Sequence, residues 1–455
     1  MTLNIRVLEK ATGLRPVTQR LAKRMINKLC GINIDLGYVS PSRSDLRILT
    51  AGANLTGVHT LLGTSDPGRG GYHIGGMGVL PNEAMIKALA ESVERYSQLL
   101  AMYHLQHQLP QKFATYAEML LQKEPIIAQE YLSLYQQQQW RNSAFVFEQW
   151  DASKPLQWIK VKSLLSQQDV WCPAQFLFIG YRCQYEKGEP WINAAVTTGT
   201  AAHVDYSSAL RSALLEVIQI DSAMGHWYTN TIAFAIQLDQ RVTALKNLMM
   251  KYTGGNRVLP QFYWLRNADL KGFTIACVFV RHKGDSPPRI AIGLGADTHL
   301  EQAMYKAFLE AYGVVGFSRM VLFKERFLGS QVNNDPHTMF DLDQNVSYYA
   351  RGMSYDFFAQ KFLHSPVLPA SELPQDMQED VSEQIQELLL GFKLSHKDVI
   401  QVDLTSIEAR QLGLVVVRAW SPQTLTLCLP SAPHLAHPRY QDYGGAIHDV
   451  PHPYP

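Results

Sequence analysis

The sequence predicts a mixed α/β (α+β) fold built from repeated strand–turn–helix units around one shared site. A nine-residue helical pattern ending in glutamate occurs three times, at residues 83–91, 208–216 and 302–310. Each copy follows a stretch of small residues, as expected where a strand or loop leads into a helix N-terminus, and such a stretch would let a ligand approach the backbone closely. The apolar run Thr274–Val280 has the length of a buried strand. The spacing between copies is irregular, which favours helices stacked around one site over a solenoid.

Composition narrows the class of protein. The 455 residues are 46% hydrophobic and 18% charged, enough for a large core with two or three subdomains. The formal net charge of +1 gives no bulk attraction to nucleic acid or to an anionic membrane. No apolar run is long enough to cross a bilayer. The five cysteines are widely spaced and form no Cys-x-x-Cys pair, so we expect reduced thiols, a cytoplasmic protein and no structural zinc.

The first of the three helices carries two neighbouring carboxylates. Asn82 follows a proline and is the predicted N-cap. Glu91 and Glu94 are three residues apart, so their side chains lie side by side and repel each other unless a cation is near. Arg95 or a divalent metal could be that cation. For this helix alone, a solvated face with local ion pairs explains the pattern as well, but the recurrence favours a shared site.

The second and third helices repeat this arrangement in part. The second follows a turn that contains Thr198, and its Glu216 and Gln219 have the same three-residue spacing, with an amide in the second place. The third ends its copy of the pattern with Glu310, which is either a further member of the site or a relic of the repeat. Helix N-termini preceded by such turns favour anions.

Two further segments leave alternatives open. Arg69, in the glycine-dense stretch 63–78, could contact a phosphate or be a solvated turn residue. The last five residues, 451–455, have proline at every second position, which favours polyproline II geometry. They could be a frayed terminus, a ligand for an aromatic groove on another protein, or a stiff rod that delivers the terminal carboxylate of Pro455 into a pocket as a general base. We expect an N-terminal and partner-facing segment over 1–60, a catalytic domain over 61–430 and a Pro-rich tail over 431–455.

Together these motifs resemble the YcaO family, and specifically its azoline-forming cyclodehydratases, the D-type component of thiazole/oxazole-modified peptide biosynthesis. The resemblance rests on the segments 87–96, 198–202 with 216–221, and 295–310, and on the terminal Pro-x-Pro-x-Pro. It covers the chain from about residue 60 to its end. The sequence departs from the family pattern at five positions, where other residues are usual: Lys87, Gln219, Ile220, Gly313 and Phe317.

The resemblance implies ATP and Mg²⁺ as cofactors. It implies that Glu91, Glu94 and Glu216 bind magnesium and phosphate. It also implies that Arg95, Thr198, Gln219 and Glu310 belong to the nucleotide site. It further implies that the carboxylate of Pro455 acts as the base or orders the peptide site.

The implied reaction is ATP-dependent cyclodehydration of Cys, Ser or Thr residues in a ribosomal precursor peptide, with phosphorylation of the backbone amide oxygen. The implied partners are the precursor peptide, an E1-like protein that binds the leader, and often a flavin-dependent azoline dehydrogenase. A homodimer remains open. Two alternatives are another ATP-dependent backbone modification, such as thioamide formation, and a docking scaffold that has lost ATP binding.

Overall fold

The computed structural model describes residues 5–6, 14–39, 41, 46–63, 73–105, 107–253, 259–282, 287–327, 329 and 332–454. In chain order the elements are β1 (Ile5–Arg6), α1 (Pro16–Met25), β2 (Asn33–Val39), β3 (Leu49–Leu55), α2 (Val58–Leu61), β4 (His73–Gly78), α3 (Pro81–Leu105), β5 (Gln111–Ala114), α4 (Tyr116–Leu120), β6 (Leu156–Ser163), β7 (Asp169–Pro173), α5 (Ala174–Leu177), β8 (Thr200–His203), α6 (Tyr206–Tyr228), β9 (Phe234–Gln237), α7 (Thr243–Thr253), β10 (Gln261–Trp264), β11 (Phe273–Val280), β12 (Ile290–Asp297), α8 (Leu300–Phe327), α9 (Leu342–Ala350), α10 (Tyr355–Lys361), β13 (Val367–Pro369), α11 (Val381–Leu394), β14 (Ile400–Asp403), α12 (Ile407–Leu412) and β15 (Val415–Trp420).

The described strands form three sheets. The first has the order β1-β2-β3-β4, the second β12-β11-β10-β9-β13, and the third β5-β6-β14-β15-β8 with β7 beside β6. Among the described strands, neighbouring strands are antiparallel except β9 and β13, which are parallel. The predicted mixed α+β class is confirmed. The predicted boundary at residue 60 falls inside the first sheet, because β3 pairs with β4 across it.

Each sheet supplies one strand–helix unit, and these units are the three predicted repeats. They are β4 with α3, β8 with α6, and β12 with α8, and each helix packs against its own strand. The helices also contact neighbouring sheets: α3 packs against β8, α6 against β12, and α8 against β4. The three sheets are therefore joined through the helices that carry the repeated glutamates.

Glycines in two of these strands let the helices pack directly on the sheet backbone. A Cβ added to Gly76 would lie 2.3 Å from the carbonyl oxygen of Ala84, and one added to Gly295 would lie 2.4 Å from that of Ala303. Since both contacts join residues eight apart (84 − 76 and 303 − 295), the two units are built alike. Both glycines lie within strands rather than turns. Their role is helix–strand packing, in place of the predicted one of admitting a ligand.

Two local predictions were wrong. Helix α3 begins at Pro81, and Asn82 is inside it, where its side chain accepts a hydrogen bond from the Arg15 backbone N–H at 2.9 Å. The apolar segments 415–419 and 425–429, on either side of a Ser-Pro turn, have the sequence pattern of two paired strands, but β15 pairs with β14 and β8. Long-range pairing partners of this kind are not encoded in the local pattern.

The C-terminal segment packs along the second half of α6, and regular structure continues beyond Pro430, with a 3₁₀ turn at Pro438–Tyr443. The fully buried Arg439 guanidinium lies 2.6 Å from the equally buried Asp221 carboxylate of α6. One turn further along α6, Gly225 leaves room for the Tyr443 ring, which a Cβ would meet at 2.5 Å. Residues 451–454 are buried. For those four residues, this contradicts the interpretations of a frayed terminus and of a ligand for another protein.

All five cysteines lie in the described part of the chain, and none is paired in a disulfide. None of the helices in the described ranges combines the length and apolar character that crossing a bilayer would require.

The packing role of Gly295 predicts a large cost for a single added methyl group. Gly295→Ala should lower the free energy of unfolding by about 1–3 kcal/mol, because backbone atoms of α8 cannot move aside without shifting the helix. Gly37→Ala is the matched control, since a Cβ at this strand glycine meets nothing within 4 Å, and it should change stability by less than about 0.5 kcal/mol. Urea midpoints measure both. Equal midpoints for the two variants would contradict the packing argument.

Candidate functional site

Four glutamates from the three repeated helices converge on one region. Glu91 and Glu94 come from α3, Glu216 from α6 and Glu310 from α8. Their charges act on one another: Glu94 is affected by Glu91 and Glu216, and Glu310 affects both Glu91 and Glu216. All four side chains keep partial contact with solvent. The four carboxyls, Glu310 included, therefore lie near enough to affect one another's charge, while their role in a shared ligand site stays a prediction.

Burial governs the protonation of this cluster. It raises the pKa of Glu91 to about 7, with Glu310 adding to the effect and Arg95 opposing it. It also raises the pKa of Glu216 to about 7, opposed by a backbone hydrogen bond from Gly199. Desolvation raises the pKa values of Glu94 and Glu310 as well. Burial and mutual repulsion therefore oppose ionisation of these carboxyls, and added positive charge would favour their ionised form.

Two arginines provide positive charge within the protein. Arg95 lowers the pKa of Glu91, Glu94 and Glu216, and its buried Nε has no hydrogen-bond partner among the described residues. Arg418, on β15, lowers the pKa of Glu94 and Glu216. Burial lowers the pKa of Arg418 to about 10, while Glu216 and Glu94 act in the opposite direction.

Arg418 is a site residue that the sequence analysis missed. It is 2% exposed, and its Nη1 donates to the Val196 carbonyl oxygen at 2.8 Å and to Thr200 Oγ1 at 3.3 Å. These bonds fix the guanidinium beside the strand that leads into α6. The sequence does contain a clue to this residue: it is the single arginine inside the apolar run 415–420, and a charged residue in a buried strand needs polar or charged partners.

The strands hold two of the glutamates through backbone N–H groups. Gly75 donates to Glu91 Oε2 at 3.2 Å, and Gly199 provides the corresponding bond to Glu216. Gly199 has a φ of +80°, a conformation that favours glycine. The predicted site residue Thr198 is buried directly before it. The small-residue segments therefore position the carboxylates.

Lys87 fastens its helix to the preceding strand. Its Nζ donates to the Met77 carbonyl oxygen at 3.1 Å and to Glu83 at 2.8 Å. In the third unit, Lys306 makes the equivalent bond to the Ala296 carbonyl oxygen at 3.1 Å, and it also donates to the Asp297 carboxylate. Lys87 also lowers the pKa of Glu310, so it adds positive charge near the cluster.

The remaining predicted residues lie as follows. Gln219 is one turn beyond Glu216 and partly exposed. Asp221, which belongs to the second motif, instead binds Arg439 in the core. Gly313 lies where the Met77 side chain packs, since a Cβ there would be 2.5 Å from the Met77 terminal methyl carbon. Pro455 and Arg69 lie outside the described residues.

The donor chemistry of the cluster fits magnesium that is bound together with phosphates. Across the described ranges, no three His, Cys, Asp or Glu side chains are close enough to form a complete metal cage by themselves. Mg²⁺ prefers oxygen ligands, and in nucleotide enzymes it is usually held by one or two carboxylates together with phosphate and water. Any one ion would be held by one or two of Glu91, Glu94 and Glu216 together with phosphate and water.

Solved structures with the same fold are consistent with this architecture. A heterocyclase solved in complex with substrate and cofactor matches with a TM-score of 0.69 and 18% identity, over 99% of this chain and 58% of that chain. YcaO from Methanopyrus kandleri, bound with AMPPCP and Mg²⁺, has a TM-score of 0.58, 15% identity and coverage of 86% of both chains. The E. coli microcin synthetase McbBCD complex with pro-MccB17 bound has a TM-score of 0.61 and 13% identity, over 95% of this chain and 99% of that chain.

A family model defines the class of protein to which this fold belongs. The family model "YcaO cyclodehydratase, ATP- and Mg²⁺-binding" matches residues 75–425. The chain belongs to this family. The comparison with curated proteins returned no match. The chain spans only 58% of the heterocyclase that it resembles.

The raised pKa of Glu91 predicts a pH-dependent gain in stability when its charge is removed. The ordinary pKa of this carboxyl is 4.5, and its pKa in the folded protein is about 7. Ionisation of Glu91 therefore opposes folding. The cost is absent below the ordinary pKa, where the carboxyl is protonated in both states, and it is complete above the pKa of the folded protein. Without nucleotide or Mg²⁺, Glu91→Gln should therefore be more stable than the wild type at about pH 8, by on the order of 1 kcal/mol, and equal to it below about pH 4.5.

Urea unfolding at the two pH values measures this difference. Glu387→Gln is the control for loss of a carboxylate outside the cluster, because Glu387 forms a surface ion pair with Lys271. A Glu91→Gln protein that is less stable than the wild type at about pH 8 would mean that the charged carboxylate is a structural element.

Proposed function

We propose that this protein is an ATP-dependent peptide cyclodehydratase that converts Cys, Ser or Thr residues of a ribosomal precursor peptide into thiazolines or oxazolines. The observation that carries the proposal is the convergence of Glu91, Glu94, Glu216 and Glu310 with two arginines, within a family that binds ATP and Mg²⁺. Carboxylates with raised pKa values are suited to binding metal–phosphate complexes, since the ligand supplies the cations that the cluster lacks.

The chemistry follows from the poor leaving ability of an amide oxygen. The peptide's thiol or hydroxyl adds to the preceding backbone carbonyl carbon. The resulting oxygen takes the γ-phosphoryl group of ATP, then leaves as phosphate while the amide nitrogen forms the C=N bond, so that the peptide loses one water overall. Magnesium, when bound, neutralises the phosphate charge during transfer.

Each residue of the site has a role in this proposal. Glu91, Glu94 and Glu216 hold magnesium, and Arg95 contacts phosphate through the guanidinium that lacks an Nε partner. Arg418 keeps Glu94 and Glu216 in place. Thr198, Gln219 and Glu310 line the nucleotide site. The terminal carboxylate of Pro455 is the base that accepts a proton from the attacking side chain, or it orders the peptide.

The proposed partners come from the same reasoning. The microcin synthetase neighbour is a McbBCD complex that has been solved with pro-MccB17, which supports a precursor peptide and partner proteins for this chain. We propose an E1-like partner that binds the leader, and a flavin-dependent azoline dehydrogenase acting later. The five unpaired cysteines support a cytoplasmic location. A homodimer remains open.

The observations weigh against the two alternatives. Ionisation of the cluster carboxyls opposes folding, so a docking scaffold that does not bind ATP would become more stable if they were replaced. All four carboxyls of the cluster are nonetheless present in this chain. Thioamide formation would use the same nucleotide site, but the Pro-x-Pro-x-Pro terminus is typical of azoline formation. Product mass separates them, because a thioamide exchanges oxygen for sulfur whereas an azoline loses water.

The first prediction concerns the carboxylates. With a Cys-rich precursor, ATP, Mg²⁺ and the E1-like partner, Glu94→Gln should reduce ring formation by at least about a hundredfold, because a magnesium ligand acts on the phosphoryl transfer itself. Glu387→Gln should retain wild-type rates. Peptide mass and phosphate release measure both. If Glu94→Gln formed rings at the wild-type rate, the carboxylate cluster would not take part in the reaction as proposed.

The second prediction concerns the end of the chain. Deleting Tyr454 and Pro455 should abolish water loss from the peptide, because no carboxylate would remain at the original position. Nucleotide binding should persist, since the glutamate cluster remains intact. If the peptide still loses water after the deletion, the protein is a cyclodehydratase as proposed, but the terminal carboxylate has no role in the reaction. No mass change with the wild type, together with no ATP binding, would favour the scaffold.

A further inference from the structure

Helix α1 and the residues beside it present positive charge to solvent. Residues 14–34 include five basic residues and no acidic one. All five are exposed, and together they form the α1 basic face: Arg15, Arg20, Lys23, Arg24 and Lys28. The chain has 41 basic and 40 acidic residues, so without these five it has 36 and 40 and a formal net charge of −4. The face is therefore a local excess of positive charge on an otherwise slightly acidic protein.

The cations of the α1 basic face have no partners of opposite charge within the described residues, where every ion pair involves other side chains. Arg20 lies three residues from Lys23 and four from Arg24, so these like charges are neighbours on the helix surface and repel one another. Bound carboxylates would remove this repulsion. The face thus has the charge pattern of a site for an anionic partner.

The other side of α1 is fixed to α3, the helix that carries Glu91. Buried residues of both helices belong to one core cluster. At the start of α1, the Arg15 backbone N–H donates to Asn82 Oδ1 at 2.9 Å. Just beyond its end, Asn33 donates from Nδ2 to Ser92 Oγ at 2.8 Å. Since Ser92 directly follows Glu91, the basic face is carried by a helix anchored beside the glutamate cluster.

The size of the α1 basic face limits what can bind it. Helix α1 has ten residues and is therefore about 15 Å long, a length that about five residues of extended peptide span. A stable interface between two folded proteins buries about 800 Å² on each partner, which is more than one short helix face offers. A long nucleic acid would also meet the net negative charge of the rest of the chain. A short acidic peptide segment fits these limits best.

We propose that the α1 basic face binds an acidic segment of the precursor peptide. The carboxylates of that segment pair with Arg20, Lys23 and Arg24, and the neighbouring part of the peptide reaches the site on α3. Packed helices are about 10 Å apart, a distance that about three extended residues cover. The inference rests on the proposed function, because it names a further feature of the same peptide substrate, separate from the leader segment that the E1-like partner holds.

The first test measures peptide binding to the full chain by fluorescence anisotropy. The probe is a labelled ten-residue peptide of alternating Glu and Ser, and a Gln–Ser peptide is the uncharged comparison. In the α1 triple variant, Arg20→Gln, Lys23→Gln and Arg24→Gln are combined. It should bind the Glu–Ser peptide at least about threefold more weakly than the wild type, as expected when three exposed ion pairs are lost. Raising the salt concentration should weaken wild-type binding, because exposed charges are screened.

A matched control removes three other exposed helical cations, none of which forms an ion pair with a described residue: Lys246, Lys251 and Lys393, each replaced by Gln. This control triple variant loses the same net charge as the α1 triple variant and should bind the Glu–Ser peptide as the wild type does. Glutamine has nearly the helix propensity of lysine and arginine, so both variants should unfold at the wild-type urea midpoint.

The second test follows ring formation with the E1-like partner and a precursor that carries an acidic stretch. The α1 triple variant should raise the KM for this precursor at least about threefold and leave kcat within about twofold, because the face binds peptide and does not act on phosphoryl transfer. A precursor whose acidic stretch is converted to Gln and Asn should show the raised KM with the wild type. The α1 triple variant should then add no further rise, because both changes remove the same contacts.

Several results would overturn the proposal. They are equal binding of the Glu–Ser peptide by the wild type and the α1 triple variant, no binding by the wild type, and a KM that does not depend on the acidic stretch. Stronger binding of single-stranded oligothymidine, lost in the α1 triple variant, would assign the face to nucleic acid. Lost affinity for the E1-like partner with an unchanged precursor KM would assign it to that protein. If the wild type forms no rings, the proposed function fails, and anisotropy decides separately whether the face binds acidic peptide.

Discussion

The repulsion among four carboxylates is the constraint on which this structure depends. Glu91, Glu94, Glu216 and Glu310 come from three helices and share one partly solvated space. Arg95 and Arg418 offset part of their charge, while burial keeps their pKa values raised. A folded protein tolerates such a cluster if the missing positive charge arrives with a ligand. Magnesium bound to a nucleotide is a ligand of that kind.

The strands position the helices so that this cluster forms. Gly76 and Gly295 allow helix backbone to lie against strand backbone, and Lys87 and Lys306 join each helix to the carbonyl groups of its strand. The first and third units therefore use the same contacts at equivalent positions. The second unit differs, because its strand β8 pairs with β15, from which Arg418 enters the site.

Helix α6 has two roles along its length. Its first half carries Glu216 toward the cluster, and its second half holds the C-terminal segment through Asp221 and Trp227. Removing one partner of a buried ion pair such as Asp221 and Arg439 costs about 3–5 kcal/mol, because the other charge stays buried. The position of the described C-terminal segment is thus tied to the helix that carries Glu216.

The sequence was sufficient to predict the three units and most of the cluster. Helical spacing and small residues before each helix identified Glu91, Glu94 and Glu216, because these signals are local. The role of Asp221 could not be predicted, since its partner Arg439 is 218 residues away. Arg418 was missed for the same reason: its contacts with residues 196 and 200 form only when β15 pairs with β8.

The binding of ATP to the isolated chain, measured by calorimetry with Mg²⁺ and again with a chelator, tests the central claim most directly. The account predicts saturable binding with Mg²⁺ and no detectable binding when the chelator removes it, because the carboxylate cluster repels phosphate in the absence of cations. Binding of equal strength under both conditions, or no binding under either, would contradict the claim that the cluster is a magnesium–nucleotide site.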